Sequence, residues 1–464
     1  MSADRPNILI LMTDQQRADH MGCAGHPLLQ TPNMDRLAAE GMRFSHCCTC
    51  SPICMPARAS FISGLYPHNH NMWHNSGQLP EHEESIFRRL QQAGYRTAHI
   101  GKSHYYPHTG QHLKDHEPYM RARGFDDLHE TTGPWATCTT NSYMTDHWEQ
   151  LGLLQAFRED YEKRRQHGGV AVWPSPLPEE EFMDSYIGRA AVEYLEAYDS
   201  QQPFCAFVGF GGPHEPWDAP GKYATMYDPS AMPDAIEPID ENPWVPGEVQ
   251  RAYKRSRHEG LDPETIGAVR ANYAGKISLL DDRFGDILSV LDRRGWADDT
   301  LVVFWSDHGE MAGDHQRLHK SVFQESSLRV PLVLRWPGHI NNGQLREHLT
   351  STVDIPATIL DMVGVDAGNR SQGRSLCPIM EEPLADWRNA VFSEICPGPL
   401  GHVMVRMADW KYVMTARGDS MWLGDLLSDP DELNNLVGHP AYEELEGELR
   451  DLILRFLSST QPRL

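Results

Sequence analysis

Long hydrophobic runs are missing from this sequence. The longest apolar run near the start of the chain, Ile8 to Met12, is too short for the apolar region of a signal peptide or for a membrane span. The hydrophobic and charged fractions, 40% and 23%, are typical of a soluble globular chain. We find no internal repeat and no low-complexity segment. We therefore expect a cytoplasmic protein without a membrane partner.

Positive charge is also scarce. Lysine and arginine together number 41 against 65 aspartates and glutamates, which gives a formal net charge of −24 at pH 7. This balance argues against nucleic acid or an anionic membrane surface as a partner. An anionic substrate would need cations placed locally to overcome the overall negative field.

Cysteine is too sparse for a disulfide scaffold, because nine cysteines in 464 residues are few and odd in number. Four of them, Cys47, Cys48, Cys50 and Cys54, are crowded into one short stretch. Structural zinc sites usually combine two C-x₂₋₄-C pairs that lie well apart in sequence. We therefore treat zinc as the weaker alternative and interpret the first three as small buried residues.

The chain has enough residues for two or three domains. Five apolar runs predict buried strands: Pro6–Met12, Tyr95–Ile100, Phe204–Phe210, Leu301–Trp305 and Val330–Arg335. Helical patterns alternate with them: Thr31–Gly41, Ser85–Ala93, Ser185–Tyr198 and Ile266–Leu291. This alternation predicts a mostly parallel sheet with helices on both faces, and we assign that α/β domain to residues 1–372.

The remaining residues, 373–464, have a different pattern. Short alternating runs, Val403–Arg406 and Trp410–Val413, precede an amphipathic helix from Tyr442 to Leu457. We expect a smaller C-terminal α+β subdomain, an antiparallel sheet plus a helix packed on the first domain. The polar stretches 108–178 and 217–263 predict loops and short helices, and the first of them is the expected source of substrate specificity.

Charged and imidazole side chains follow four of the predicted strands. They are Asp14, Lys102 with His104, His214, and Asp307 with His308. A lone aspartate such as Asp14 is more often a helix cap than a ligand. Polar groups of this kind after four separate strands are harder to explain by chance. In open α/β sheets, ligands bind at the carboxyl edge, where these four strands would end. The pattern predicts one polar site there.

A reactive side chain is predicted at Cys54, in the stretch Ser51–Ser60. Pro56 is tolerated in the first turn of a helix, where its missing N–H has no partner. The free N–H groups and the positive end of the helix dipole favour an anion and lower the pKa of a thiol. Arg58 adds a planar cation suited to oxyanions. The residues therefore indicate a nucleophile in an anion-binding hole.

Cys54-Met55-Pro56-Ala57-Arg58 resembles the C-x-P-x-R motif of the type I sulfatases, members of the alkaline phosphatase superfamily. In that family a maturation enzyme oxidises the cysteine to formylglycine. The resemblance extends from Asn7 to about Pro337. It implies an alkaline-phosphatase-like α/β fold, in which a large, mostly parallel sheet flanked by helices is followed by a smaller antiparallel sheet plus a helix.

The resemblance also implies a role for each site residue. The implied metal ligands are Asp14, Gln15, Asp307, His308 and the modified Cys54. The implied catalytic and sulfate-binding residues are Cys54, Arg58, Lys102, His104, His214 and Lys320. One hydroxyl of hydrated formylglycine would attack sulfur to form a covalent sulfated intermediate, and His214 would protonate the departing alcohol. The second hydroxyl would lose its proton towards His104 and expel sulfate.

Two positions depart from the commonest pattern of the family. Gln15 and His308 stand where many sulfatases have aspartate and asparagine, and related phosphonate monoester hydrolases and some bacterial sulfatases share these replacements. We expect one divalent metal ion, calcium first and manganese as the alternative. The alternative functions are a phosphonate monoester or phosphodiester hydrolase and, from another class, a non-catalytic anion- or metal-binding protein. The pair Lys102 and His104 favours sulfate esters.

The expected substrate is a small sulfate ester such as a sulfated sugar or a choline-like compound. Aromatic and histidine residues in His68–His74 and Gly133–Trp135 are candidates for its pocket, with ordinary loop packing as the equal alternative. Arg317 and His319 are weaker candidates for binding a carboxylate.

Overall fold

The computed structural model describes residues 5–238, 242–245, 247, 250, 258, 261–396 and 401–460. The rest of the predicted loop 217–263 lies outside the described residues. Two β-sheets organise this part of the chain, one of eight strands and one of four. No helix among the described residues is both long enough and apolar enough to cross a bilayer.

The large sheet has the strand order β4-β3-β5-β1-β6-β7-β2-β8. Its strands are β1 Asn7–Asp14, β2 Met42–Cys48, β3 Arg96–Lys102, β4 Asp127–Thr131, β5 Phe204–Pro213, β6 Thr300–Ser306, β7 Leu332–Arg335 and β8 Gln344–Ser351. Strand β7 runs antiparallel to both of its neighbours, and the other pairs are parallel. The expectation of a mostly parallel sheet is confirmed.

Strand β1 lies in the middle of this sheet and is apolar on both faces. Ile8 and Ile10 belong to the core on one face, whereas Leu9 and Leu11 belong to the core on the other. Its parallel neighbours β5 and β6 pair with it over almost its whole length. Because both faces are covered, the strand is a continuous apolar run in the sequence.

Three strands of this sheet, β2, β4 and β8, have no counterpart in the sequence prediction. Strands β4 and β8 are the two edges of the sheet, and both mix polar with apolar residues. An edge strand is exposed along one side and needs no continuous apolar run. The prediction of loops and short helices over 108–178 is therefore wrong at Asp127–Thr131, where β4 forms.

Helices cover the sheet on both faces. Their bounds are Pro32–Glu40, Cys54–Ser63, Pro67–His70, Ile86–Gln92, Glu117–Ala122, Tyr143–Gln150, Leu154–Arg165, Met183–Ala197, Pro263–Arg294, Glu325–Leu328, Asp354–Met362, Cys377–Glu381 and Glu443–Ser459. The longest begins at its N-cap Asp262, whose carboxylate accepts from Thr265 N–H, and ends before Gly295 in the left-handed conformation. Its predicted buried stripe is confirmed.

The small sheet is antiparallel, with the order β12-β11-β10-β9. Its strands are β9 Ala390–Ile395, β10 His402–Met407, β11 Trp410–Thr415 and β12 Ser420–Asp425. The last helix, Glu443–Ser459, packs on it through Leu449, Ile453 and Phe456. The expected antiparallel sheet plus helix is confirmed. The exact division at residue 372 stays a prediction.

Candidate active site

The carboxyl ends of four parallel strands meet at one edge of the large sheet. Asp14 and Lys102 are the last residues of β1 and β3, while His214 directly follows β5 and Asp307 directly follows β6. These strands lie side by side in the order β3-β5-β1-β6. Their polar ends therefore gather although they are far apart in sequence.

A compact buried cluster lies at this edge, formed by Asp14, Cys54, Asp307 and His308. One ligand atom from each of the four lies within 4.8 Å of the others. The Cys54 Sγ atom is 3.1 Å from His308 Nε2 and 3.9 Å from Asp14 Oδ1. His308 Nδ1 lies 3.0 Å from the Gly309 carbonyl oxygen, which orients Nε2 towards the cluster. This donor set fits one divalent cation.

The charges in the cluster shift its pKa values strongly. Burial and Cys54 would raise the pKa of Asp14, but Lys102, His214 and Arg58 outweigh them and lower it to about 2. Burial would lower the pKa of His308, but Asp307 and Cys54 raise it to about 9. The carboxylate of Asp14 and the protonated ring of His308 are thus each stabilised by opposite charges close by.

Cys54 is the first residue of the helix Cys54–Ser63, where the sequence predicts it. The preceding Ile53 is extended, and its carbonyl accepts the first helical hydrogen bond, from Ala57 N–H. Burial would raise the pKa of the Cys54 thiol, yet Lys320, His308 and Lys102 together hold it well below its ordinary value. The side chain at position 54 therefore lies in a pocket that favours an anion.

Arg58, one turn further along this helix, is 1% exposed. Its Nε donates to Asp307 Oδ2 at 2.8 Å, and one terminal nitrogen donates to Asp14 Oδ2 at 3.0 Å. The other terminal nitrogen donates to the Lys102 carbonyl at 2.9 Å. The guanidinium thus bridges two carboxylates of the cluster and fixes their separation.

Two lysines and two histidines surround position 54. Lys102 is buried and pairs with Asp14. Lys320 Nζ lies 2.6 Å from His214 Nε2, and the Ser321 N–H next to it donates to the Pro52 carbonyl. Burial would lower the pKa of Lys320, but Cys54, Glu215 and Asp14 raise it, so the ammonium stays charged. This arrangement provides the local cations that an anionic substrate needs.

The imidazole of His104 interacts with the Cys54 side chain, and the backbone of His104 is in the left-handed conformation at φ 57°. Burial lowers the pKa of this imidazole to about 3, with smaller contributions from Lys102 and His108. The His104 ring beside position 54 is therefore neutral at pH 7.

Gln15 connects the buried cluster of Asp14, Cys54, Asp307 and His308 to Lys320 and His214. Its backbone N–H donates to Asp307 Oδ1 at 3.0 Å. The side-chain oxygen accepts from Lys320, and the side-chain nitrogen donates to Glu215 at 2.8 Å and to Glu310. These contacts place Gln15 in the site, and its role as a metal ligand stays a prediction.

Sequence reasoning missed Glu215, Glu310 and the orientation of His319. Ligand atoms of these three residues also lie within 4.8 Å of one another. Glu215 Oε2 is 3.1 Å from His214 Nδ1 and 3.4 Å from His319 Nδ1. Glu215 could have been found from the sequence, because it directly follows His214. The sequence suggested that His319 and Arg317 bind a substrate carboxylate. At His319 such a carboxylate would be repelled by the negative charge of Glu215. The side chain of Arg317 is buried.

The two candidate pocket segments have different surroundings. His68 Nδ1 lies 2.7 Å from Glu394 and its Nε2 lies 2.9 Å from Thr460, so this ring is used in packing against the C-terminal subdomain. Gly133 lies directly against Lys102, because a Cβ at this position would be 2.9 Å from Lys102 Nζ. The segment Gly133–Trp135 therefore borders the site.

Comparisons with known proteins agree with this geometry. A family model described as Sulfatase matches residues 6–365, and one described as N-sulphoglucosamine sulphohydrolase, C-terminal, matches residues 313–458. The multifunctional alkaline phosphatase superfamily protein PehA of Trinickia caryophylli is 32% identical over 98% of this chain and 95% of its own length. The N-acetylglucosamine-6-O-sulfatase of Bacteroides thetaiotaomicron is 25% identical over 97% of this chain and 86% of its own length.

Among solved structures, the phosphonate monoester hydrolase of Agrobacterium radiobacter superimposes with a TM-score of 0.80 at 25% identity. The match covers 98% of this chain and 96% of that one. Both sheets therefore belong to one shared architecture.

Proposed function

The chain belongs to the sulfatase family of the alkaline phosphatase superfamily and is a sulfuric ester hydrolase, and from this premise we propose that formylglycine derived from Cys54 is its nucleophile. The proposal also includes one divalent metal ion at the cluster beside position 54. The observation that supports it best is the position of Cys54 at a helix N-terminus, 3.1 Å from His308 and facing Lys102, His104 and Lys320.

The residues that would hold the metal are Asp14, Gln15, Asp307 and His308, together with position 54. Oxygen ligands favour calcium, and the imidazole of His308 leaves manganese as the alternative. When bound, the metal supplies positive charge next to the nucleophile, and the hydrated formylglycine supplies a hydroxyl that takes up the sulfate group. Arg58 pairs with both Asp14 and Asp307 and so keeps the two carboxylates in position for the cation.

The other residues act on the substrate and on protons. Lys102 and Lys320 bind sulfate oxygens, and their fixed charges stabilise the negative charge that develops in the transition state. His214 gives a proton to the departing alcohol, and the Glu215 carboxylate, 3.1 Å from its Nδ1, orients the ring. His104 accepts the proton that position 54 releases when sulfate leaves.

We propose a small sulfated substrate, a sulfated sugar being the first candidate. A relative of similar length is named an N-acetylglucosamine-6-O-sulfatase. Lys102 and His214 are buried, and the side chain of Lys320 is only 11% exposed. The site therefore suits a sulfate group at the end of a substrate. The proposal requires a partner enzyme that oxidises Cys54 to formylglycine.

A phosphonate monoester hydrolase is the second candidate. A solved structure named as a phosphonate monoester hydrolase supports it, because it matches this chain with a TM-score of 0.80. Gln15 and His308 are compatible with both candidates, because related phosphonate monoester hydrolases and some bacterial sulfatases have these residue types. Parallel assays with an aryl sulfate and an aryl phosphonate monoester separate the two functions. We expect a higher kcat/KM for the sulfate, and the reverse order would make the second candidate the better one.

Mass spectrometry of the peptide that contains Cys54 tests the nucleophile. After co-expression with a formylglycine-generating enzyme, we expect an aldehyde at Cys54 and an intact thiol at Cys50, which lies in the same peptide and serves as an internal control. Cys54→Ala should abolish turnover. Full activity in protein that retains only the Cys54 thiol would contradict the proposal.

A further inference from the structure

A buried polar network lies next to His104. Its centre is Glu130 on β4, which is 3% exposed and pairs in register with Gly101 of β3. The Ser103 hydroxyl donates to Glu130 Oε1, and the Tyr106 hydroxyl donates to Oε2 at 2.7 Å. This carboxylate thus holds the residue directly before His104 and the residue two positions after it.

His108 completes the network. Its Nε2 is 3.7 Å from Glu130 Oε1, and its ring centroid is 5.1 Å from that of His104. His104 Nδ1 and both ring nitrogens of His108 are buried without a hydrogen-bond partner among the described residues. Buried polar nitrogens need partners, and each of these two rings is a polar neighbour of the other. One ordered water between the rings would give each ring a hydrogen-bond partner.

We propose that Glu130 and His108 are positioning residues for His104. Glu130 orients His108, and His108 keeps a proton on His104 Nδ1, so the nitrogen that faces position 54 remains an acceptor. This role rests on the proposed function, in which His104 takes a proton from position 54. The same logic governs histidine ligands of metals, where the partner of one ring nitrogen determines the state of the other.

The first test compares kcat and KM of the matured, metal-loaded full chain. In His108→Phe, which keeps the ring size without polar atoms, we expect kcat to fall about 10- to 100-fold with KM nearly unchanged. His108→Gln should retain more activity than His108→Phe, and Glu130→Gln should lower kcat in the same direction. His129→Phe is the matched control, because His129 directly precedes Glu130 on β4, points to the other face of that strand and stacks on Tyr143. We expect wild-type kcat from it.

The second test does not depend on turnover. Histidine ¹⁵N NMR of the unmatured chain reports which nitrogen of His104 carries a proton, with His104→Gln identifying the signal. We expect one tautomer, protonated at Nδ1, in the wild type and in His129→Phe, and a mixture in His108→Phe. The proposal is overturned if His108→Phe keeps the wild-type tautomer and kcat, or if His129→Phe loses as much activity as His108→Phe. An inactive wild type would refute the proposed function alone, because the tautomer measurement would still decide the positioning role.

Discussion

Arg58 offers a direct test of how the cluster at position 54 is stabilised. Arg58→Met removes the cation that bridges Asp14 and Asp307 while keeping much of the side-chain volume. Removing one partner of a buried ion pair costs about 3–5 kcal/mol of folding free energy, because a charge is left buried and unpaired. Asp14 would keep its pairing with Lys102, so the larger part of the cost falls on Asp307. We therefore expect the lower end of this range, about 3 kcal/mol.

The assay is thermal unfolding with and without a divalent metal. In the presence of a chelator, Arg58→Met should lower the unfolding midpoint by roughly 3 °C. Added calcium or manganese should recover part of that loss, because a bound cation takes over the neutralisation of the carboxylates. Arg36→Met is the control: Arg36 is also paired with carboxylates, but it is 42% exposed and its loss should cost under about 1 kcal/mol. An equal loss in the two variants, or a loss that metal does not reduce, would refute this reasoning.

Two further predictions concern the leaving group and acid stability. His214→Gln should lower kcat for an alkyl sulfate about 10²- to 10⁴-fold and for 4-nitrophenyl sulfate much less, because nitrophenolate leaves without a proton; equal losses for the two esters would exclude the assigned role. Asp314 is paired with Arg17 and Arg270, and although burial raises its pKa, these cations lower it to about 2 from an ordinary 3.8. The ionised Asp314 therefore stabilises the folded state above about pH 4, and this stabilisation is lost as the pH falls towards 2. Asp314→Asn should lower the free energy of unfolding by about 2–3 kcal/mol at neutral pH. It should also make the free energy of unfolding less dependent on pH at the acid end of a stability–pH curve.

The buried strands and the long helix could be predicted because their patterns are local. Strand β1 is apolar on both faces, and the helix Pro263–Arg294 repeats its buried residues every three or four positions. Strand β4 could not be found in this way, because a sheet edge needs no apolar run and its pairing with β3 joins distant segments. The network around Glu130 was missed for the same reason.

The sequence by itself determined the strand-and-helix alternation, the helix start at Cys54 and the polar residues that close each central strand. These are local properties, set by periodicity, capping and residue type. Only the tertiary structure decided that Arg58 bridges Asp14 and Asp307, and that Gln15 contacts Lys320. Such contacts depend on strand order and on side-chain direction across hundreds of residues, and a linear pattern carries neither.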